Sequence, residues 1–219
     1  MSNLVRDEYT ASRNLEARVQ IHRHATERRD LSRWVFDRID VALGATVLEL
    51  GCGPGALRAR NLDRVPDSWW GTLSDLSPGM IEEARQNLGE RGVGFTFEVA
   101  DAGSIPHKDD TFDAVLANHM LYHVSDRPAT FAEILRILQP GGRLYATTGG
   151  RDHLRELREL ETRIGLRVAF PDAGAPTPFE RFGLETAQEQ LEPWFASVRL
   201  SRLEGELLVR DAGPVITYI

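Results

Sequence analysis

Residues 47–55 read Val-Leu-Glu-Leu-Gly-Cys-Gly-Pro-Gly and join a short apolar run to three glycines in five positions. The apolar run predicts a buried β-strand, and the glycines predict a sharp turn where bare backbone replaces Cβ atoms. A helix is expected from Ala56 onward. Because strand, glycine turn and helix form the ligand-binding unit of open α/β folds, this stretch predicts the fold class and places the ligand at the turn.

The same alternation continues along the chain. Four further strands are predicted over residues 69–74, 95–99, 112–117 and 143–148. Helical spacing of apolar residues separates most of them, notably over 128–138, and another helix is predicted from Leu31 with Asp30 as its N-cap. Strands that alternate with helices predict a parallel sheet covered on both faces.

A carboxylate follows the second predicted strand at an informative distance. Asp75 lies twenty positions after Gly55. In Rossmann-type sites an acidic residue near this distance accepts hydrogen bonds from ribose hydroxyls, which suit two carboxylate oxygens. Ser77 and Pro78 then predict a capped helix start. A nucleoside-containing cofactor is therefore expected at the turn.

Four ordered motifs between residues 45 and 148 resemble the class I, Rossmann-like S-adenosylmethionine-dependent methyltransferases that act on small molecules. Glu49–Gly55 matches the pattern E/D-x-G-x-G-x-G, and residues 75–80 match D-x-S-x-x-M. Residues 133–147, EILRILQPGGRLYAT, resemble the family's helix, turn and strand after the active-site loop. The resemblance implies a three-layer sandwich with a seven-stranded, mostly parallel sheet and a helical cap.

The resemblance also implies a binding site for S-adenosyl-L-methionine. By it, Leu76 and Met80 flank the adenine, and Asp101 with Ala102 meets the adenine edge. Tyr9 and Arg18 are candidates by position alone, and a solvated helix face is the alternative for both. The full set of expected cofactor-binding residues is Glu49, Gly51, Gly53, Gly55, Asp75, Leu76, Met80, Asp101, Ala102, Asn118, Arg18 and Tyr9.

Histidines supply the candidate general bases. Methyl transfer from a sulfonium depends largely on positioning, but a hydroxyl or ammonium acceptor must also lose a proton. His119 follows the fourth predicted strand and is the first candidate, with His123 and His22 behind it. The alternative for His119 and His123 is that they only pack or orient the loop, and the alternative for His22 is a solvated helix face.

The composition limits the classes of binding partner that are expected for this chain. The chain has 219 residues, a net charge of -7 and one cysteine, Cys52, which excludes a disulfide framework or a multi-cysteine metal site. The acidic charge and the absence of an Asn/Asp-Pro-Pro-aromatic run at 118–121 disfavour nucleic acid. No membrane span or signal region is apparent. We expect a cytoplasmic monomer or homodimer, without metal, acting on a small-molecule acceptor.

The domain organisation is expected to be a single domain with a helical cap over 1–40, a cofactor-binding core over 41–150, and a lid with closing strands over 151–219. A charged amphipathic helix is predicted over 154–164, a loop over 170–182, a helix over 184–195, and a β-hairpin over 197–203 and 206–209. Two other functions stay open. One is a non-catalytic S-adenosylmethionine-binding protein; the other is an NAD-dependent oxidoreductase, which the glycine spacing disfavours.

Overall fold

The computed structural model describes residues 19–27, 30–66, 69–165 and 176–218. These residues fall into two compact units. The first contains residues 30–147, and the second joins residues 19–27 to residues 148–218. Tyr9 and Arg18 lie outside the described residues, as does part of the loop predicted over 170–182.

A five-stranded parallel sheet forms the centre of the first unit. Its strands are β1 Thr46–Leu50, β2 Trp70–Asp75, β3 Phe95–Val99, β4 Phe112–Asn118 and β5 Leu138–Thr147. They lie in the order β3-β2-β1-β4-β5, and every neighbouring pair is parallel. The α/β Rossmann-like class is therefore confirmed. The chain order reverses between β1 and β4, where ligands bind in open α/β sheets.

Both faces of the sheet are buried. Val47 and Leu48 point to opposite faces of β1 because side chains alternate along a strand, and each is 0% exposed. On the Val47 face, Val35 and Phe36 of the first helix join one apolar cluster. A strand buried on both faces needs covering layers on both sides, as in the predicted three-layer sandwich.

The described residues of the first unit form four helices, and their predicted starts agree with the structure where a cap was expected. The Asp30 side chain accepts hydrogen bonds from the backbone N–H groups of Ser32 and Arg33, and Ser77 accepts one from Met80. Short 3₁₀ turns cover Gly89–Gly94 and Leu121–His123. The helices are α1 Leu31–Phe36, α2 Ala56–Ala59, α3 Pro78–Leu88 and α4 Arg127–Ile137.

The expected seven strands are not found: the described residues form five. The hairpin predicted over 197–203 and 206–209 is wrong, since its residues make one isolated bridge, between Ala25 and Leu207. Alternation of apolar residues favours a strand only where a partner strand buries one face, and most of residues 197–209 stay at least partly exposed. The predicted turn at 139–142 lies inside β5, where the pairing with β4 shifts register between Phe112 and Ala114.

The second unit is mainly helical within its described residues. Helix α5, Arg155–Arg163, agrees with the amphipathic helix predicted over 154–164. The helix predicted over 184–195 is reduced to the five residues of α7, Ala187–Leu191. No described helix is long and apolar enough to cross a membrane. The elements are a 3₁₀ turn Ile21–His24, α5 Arg155–Arg163, α6 Pro178–Arg181, α7 Ala187–Leu191 and α8 Ala212–Tyr218.

Candidate cofactor and acceptor site

The carboxyl ends of three central strands meet at one edge of the sheet. Leu50, the last residue of β1, pairs with Ser74 of β2 and with Ala117 of β4. The residues that follow these strands therefore emerge side by side. They are the glycine turn after β1, Asp75 at the end of β2, and Asn118 and His119 at the end of β4.

All three glycines of the turn adopt left-handed backbone conformations, with φ of 63° at Gly51, 53° at Gly53 and 75° at Gly55. A Cβ at Gly51 would lie 2.8 Å from the Cβ of Met120, closer than two carbon atoms can pack. The turn is tied to β2, because the Cys52 N–H donates to the Ser74 carbonyl at 2.9 Å. Glycine is therefore required here by both conformation and space.

Asp75 holds the turn from the neighbouring strand. One carboxylate oxygen accepts the Gly53 N–H and the other accepts the Ser77 N–H, both at 2.9 Å. Burial raises the pKa of the Asp75 carboxyl, and the backbone N–H donors of Ser77, Gly53 and Leu76 oppose that rise. The carboxylate predicted for the ribose thus also fixes the position of the glycine turn.

Glu49 is buried beneath the turn and forms an ion pair that the sequence analysis missed. Its Oε2 lies 3.1 Å from Nε of Arg58 on α2, and the two side chains are 2% and 0% exposed. Burial raises the pKa of the Glu49 carboxyl, and Arg58 and Asn118 oppose that rise. The available signal was the single arginine within the otherwise apolar run Ala56-Leu57-Arg58-Ala59 at the start of the helix.

Asn118 brings a buried side-chain amide to this edge. Its side-chain oxygen accepts a hydrogen bond from the Thr147 hydroxyl at 3.4 Å. Its Nδ2 is buried and makes no hydrogen bond within the described part of the chain, although the amide is close enough to lower the pKa of Glu49. Since buried donors are normally paired, a bound molecule with an acceptor atom fits this position.

His119 has an unusual backbone. Its φ is 50°, a left-handed value that a residue with a side chain rarely adopts. The conformation is held by the His119 N–H, which donates to both the carbonyl and the hydroxyl of Thr147 at 3.1 Å. Strained backbone of this kind clusters at functional sites. His119 therefore presents an exposed imidazole from a strained backbone conformation that its hydrogen bonds to Thr147 maintain.

The two candidate bases after β4 both lie near the ring of Tyr122. The ring of Tyr122 lies 4.5 Å from that of His123 and 6.3 Å from that of His119, measured between centroids. The three side chains form a polar aromatic cluster next to Asn118 in the chain. Such a cluster combines proton acceptors with a flat surface for an acceptor molecule.

The remaining predicted residues of the first unit differ in exposure. Met80 and Ala102 are 2% and 9% exposed, whereas Leu76 is half-buried. Asp101 is exposed, and its carboxylate accepts the Gly103 N–H at 2.9 Å in the turn after β3. Their contacts with adenine stay a prediction.

His22 belongs to the second unit, not to the unit that carries the glycine turn. Its ring stacks on His153 at 5.5 Å between centroids. Partial burial lowers the pKa of the His22 ring, which stays partly exposed. The role of His22 as a base stays a prediction from its position in the sequence.

Comparison with known families agrees with this geometry. The family profile described as "Methyltransferase domain" matches residues 48–146, from β1 to β5. The segment from β1 to β5 therefore matches a methyltransferase domain. Glu49, the glycine turn, Asp75 and Asn118 all lie inside the matched segment of that domain.

Curated relatives are similar to this methyltransferase domain. Methyltransferase GfsG of Streptomyces halstedii is 33% identical over 119 residues, covering 52% of this chain and 41% of that protein. The ubiquinone/menaquinone biosynthesis C-methyltransferase UbiE of Shewanella halifaxensis is 31% identical over 145 residues, covering 65% of this chain and 57% of that protein. The chain thus spans about half the length of these curated relatives.

Solved structures share the fold of the methyltransferase domain. An S-adenosylmethionine-dependent methyltransferase from Aquifex aeolicus superposes with a TM-score of 0.62 at 16% identity, covering 88% of this chain and 90% of that one. The [4+2]-cyclase SpnF superposes with a TM-score of 0.55 at 25% identity, covering 65% of this chain and 58% of that one. One fold therefore serves proteins of differently named activities.

S-adenosyl-L-methionine is the cofactor of this class of domain. The described residues fit such a molecule in two respects. The Gly51–Gly55 turn exposes bare backbone at the sheet edge, and Asn118 offers a buried donor with no hydrogen bond in the described chain. Both features suit a polar cofactor that lies against the turn.

Proposed function

We propose that this domain transfers a methyl group from S-adenosyl-L-methionine to an oxygen or nitrogen of a small-molecule metabolite or natural-product intermediate. The observation that carries the proposal is the pairing of Leu50 with Ala117, which brings the glycine turn and the residues after β4 to one edge of the sheet. A cofactor on the turn and an acceptor beside His119 would then be close enough to react.

The bound cofactor would supply a methyl group already activated by its sulfonium. The chain's own residues would bind and orient it. The backbone of Gly51–Gly55 would contact it closely, Asp75 would accept from its ribose hydroxyls, and Asn118 would donate to one of its acceptor atoms. The remaining predicted cofactor residues, including Tyr9 and Arg18 outside the described chain, belong to the same proposal.

On the acceptor side, His119 would remove the proton that an oxygen or nitrogen nucleophile must lose. Neutral imidazole suits that task near pH 7. His123 is the alternative base, because the Tyr122 ring contacts both histidines. The name of the relative UbiE adds a carbon acceptor as a variant, since deprotonating a phenol also activates its ring carbons.

A small acceptor is favoured over nucleic acid. The net charge of -7 opposes binding to a phosphate backbone. The names of the relatives GfsG and UbiE agree with small-molecule chemistry. The cytoplasmic location and the monomeric or dimeric state stay predictions from the sequence.

The decisive experiment is to incubate the purified chain with S-adenosylmethionine and a panel of phenols, carboxylic acids and amines. We expect S-adenosylhomocysteine together with a product heavier by one methylene unit, and the position of the new methyl identifies the nucleophile. Binding of the cofactor without conversion across the panel would favour a non-catalytic binding protein, and the fold shared with the cyclase SpnF makes that control necessary.

The base is tested with His119→Asn. Asparagine tolerates the left-handed φ of 50° at this position, so the backbone is expected to persist. If His119 is the base, turnover falls by about 10²- to 10⁴-fold while cofactor affinity holds, and the loss shrinks as pH rises. His107→Asn is the matched control in the same unit, because that ring pairs with Glu98 at 2.8 Å instead. Full activity of His119→Asn would exclude it as the base.

A further inference from the structure

The Glu49–Arg58 ion pair is unusual in its burial. Glu49 lies on the central strand β1, paired in register with Leu73 of β2 and Leu116 of β4. Arg58 approaches it from α2 and is 0% exposed. Two residues further on, Arg60 makes an ordinary surface pair with Asp30, in which its side chain is 55% exposed. The two arginines, one on α2 and one directly after it, therefore occupy opposite environments.

The buried arginine is poorly satisfied for a residue whose only role is stability. Its Nη1 and Nη2 are buried and make no hydrogen bond to any described residue. The guanidinium carbon also lies 5.7 Å from the centroid of the Phe95 ring. Removing two charges from water costs more than a single contact returns, and unpaired buried donors add to that cost. Stability alone does not account for this pair.

The pair brackets the glycine turn. Glu49 precedes Gly51 and Arg58 follows Gly55, so the ion pair joins the two ends of the turn across nine positions. Glu49 pairs with Leu116 of β4, and Asn118 lies two residues further along the same face of that strand, where its amide lowers the pKa of the Glu49 carboxyl. Arg58 is thus linked, through Glu49, to the glycine turn and to the Asn118 amide, both of which are proposed to bind the cofactor.

We propose that Arg58 is a positioning residue for cofactor binding, which holds the Glu49 carboxylate and, through it, the Gly51–Gly55 turn and the Asn118 amide in the binding arrangement. The proposal rests on the proposed cofactor role of that turn. The proposed role of Arg58 is indirect, through Glu49, and involves no contact with the cofactor. The fold tolerates the free-energy cost of burying this ion pair because, without the pair, the glycine turn would lose the contact that links its two ends.

The test uses the full chain and the double variant Glu49→Leu/Arg58→Met. Replacing both members of a buried ion pair by apolar residues of similar size is often neutral or stabilising, so this variant is expected to fold with a melting temperature near that of the wild type. We expect its dissociation constant for S-adenosylmethionine, measured by calorimetry, to rise by about tenfold or more. The matched control Arg60→Met is expected to bind as the wild type does.

Single variants separate positioning from packing. Arg58→Lys keeps the charge and is expected to recover affinity relative to Arg58→Met, whereas a packing role would not distinguish a charged from an apolar replacement of similar length. Wild-type affinity in the folded double variant would overturn the inference and leave the proposed function intact. Failure of the wild type itself to bind S-adenosylmethionine would overturn both.

Discussion

Replacement of Asp75 by alanine removes two hydrogen bonds that the structure shows directly, from the N–H groups of Gly53 and Ser77 at 2.9 Å each. It also removes the two oxygens proposed to accept from the ribose. A hydrogen bond to a charged acceptor contributes about 1.5–3 kcal/mol. The loss of one such bond from the complex is expected to weaken S-adenosylmethionine binding by about 10- to 150-fold.

Calorimetric titration of folded Asp75→Ala protein measures this loss. The matched control is Asp113→Ala, because the Asp113 carboxylate also accepts two hydrogen bonds, from the N–H and the hydroxyl of Thr46 at 2.8 Å each. Asp113 lies near the start of β4, whereas the turn follows the ends of the strands. Its loss is expected to lower stability and to leave cofactor affinity unchanged.

Two results would refute the reasoning. Unchanged affinity in folded Asp75→Ala protein would remove the carboxylate from the cofactor site. An equal loss of affinity in Asp113→Ala would mean that general loosening of the sheet, and not the anchoring of the turn, explains the effect.

Three further predictions follow from backbone conformation and burial. Gly51→Ala is expected to lower the free energy of unfolding by about 1–3 kcal/mol in urea denaturation, because its Cβ would meet Met120 at 2.8 Å. Gly44 has a φ of 81° and open space around it, so Gly44→Ala measures the conformational part of that loss alone. An equal loss in the two variants would exclude the clash. His119→Gly is expected to be about 1 kcal/mol more stable than His119→Ala, since φ is 50° there, and the reverse order would disprove the strain. S-adenosylmethionine affinity is expected to fall as pH drops through the pKa of Asp75, which burial raises above 3.8, because binding requires the carboxylate; Asp75→Asn should flatten that pH profile.

Local patterns in the sequence predicted the parts of the fold that depend on neighbouring residues. The strand over 95–99 has the predicted bounds, and Ser77 caps the predicted helix. The glycines of the turn adopt the positive φ values that their spacing indicates. In each case one short segment contains the physical cause, whether side-chain alternation, a capping hydroxyl or a missing Cβ.

Contacts between segments that are distant in the chain could not be predicted from local sequence patterns. The Glu49–Arg58 pair joins a strand to a helix across the turn, and no helical or strand period places those two residues together. The failed hairpin over 197–209 has the same origin, because alternation predicts a strand but does not supply its partner. The strained backbone of His119 is likewise imposed by Thr147, a residue on another strand.

The parallel pairing of β1 with β4 also has a consequence for synthesis on the ribosome. β1 is complete at Leu50, but the strand that covers one of its sides begins only at Phe112. At bacterial or eukaryotic elongation rates this delay is on the order of several seconds. During that interval one edge of the apolar run Val47–Leu50 has no strand to pair with. An unpaired strand edge of this kind can pair with another unfolded chain, so this segment needs shielding until β4 has been synthesised.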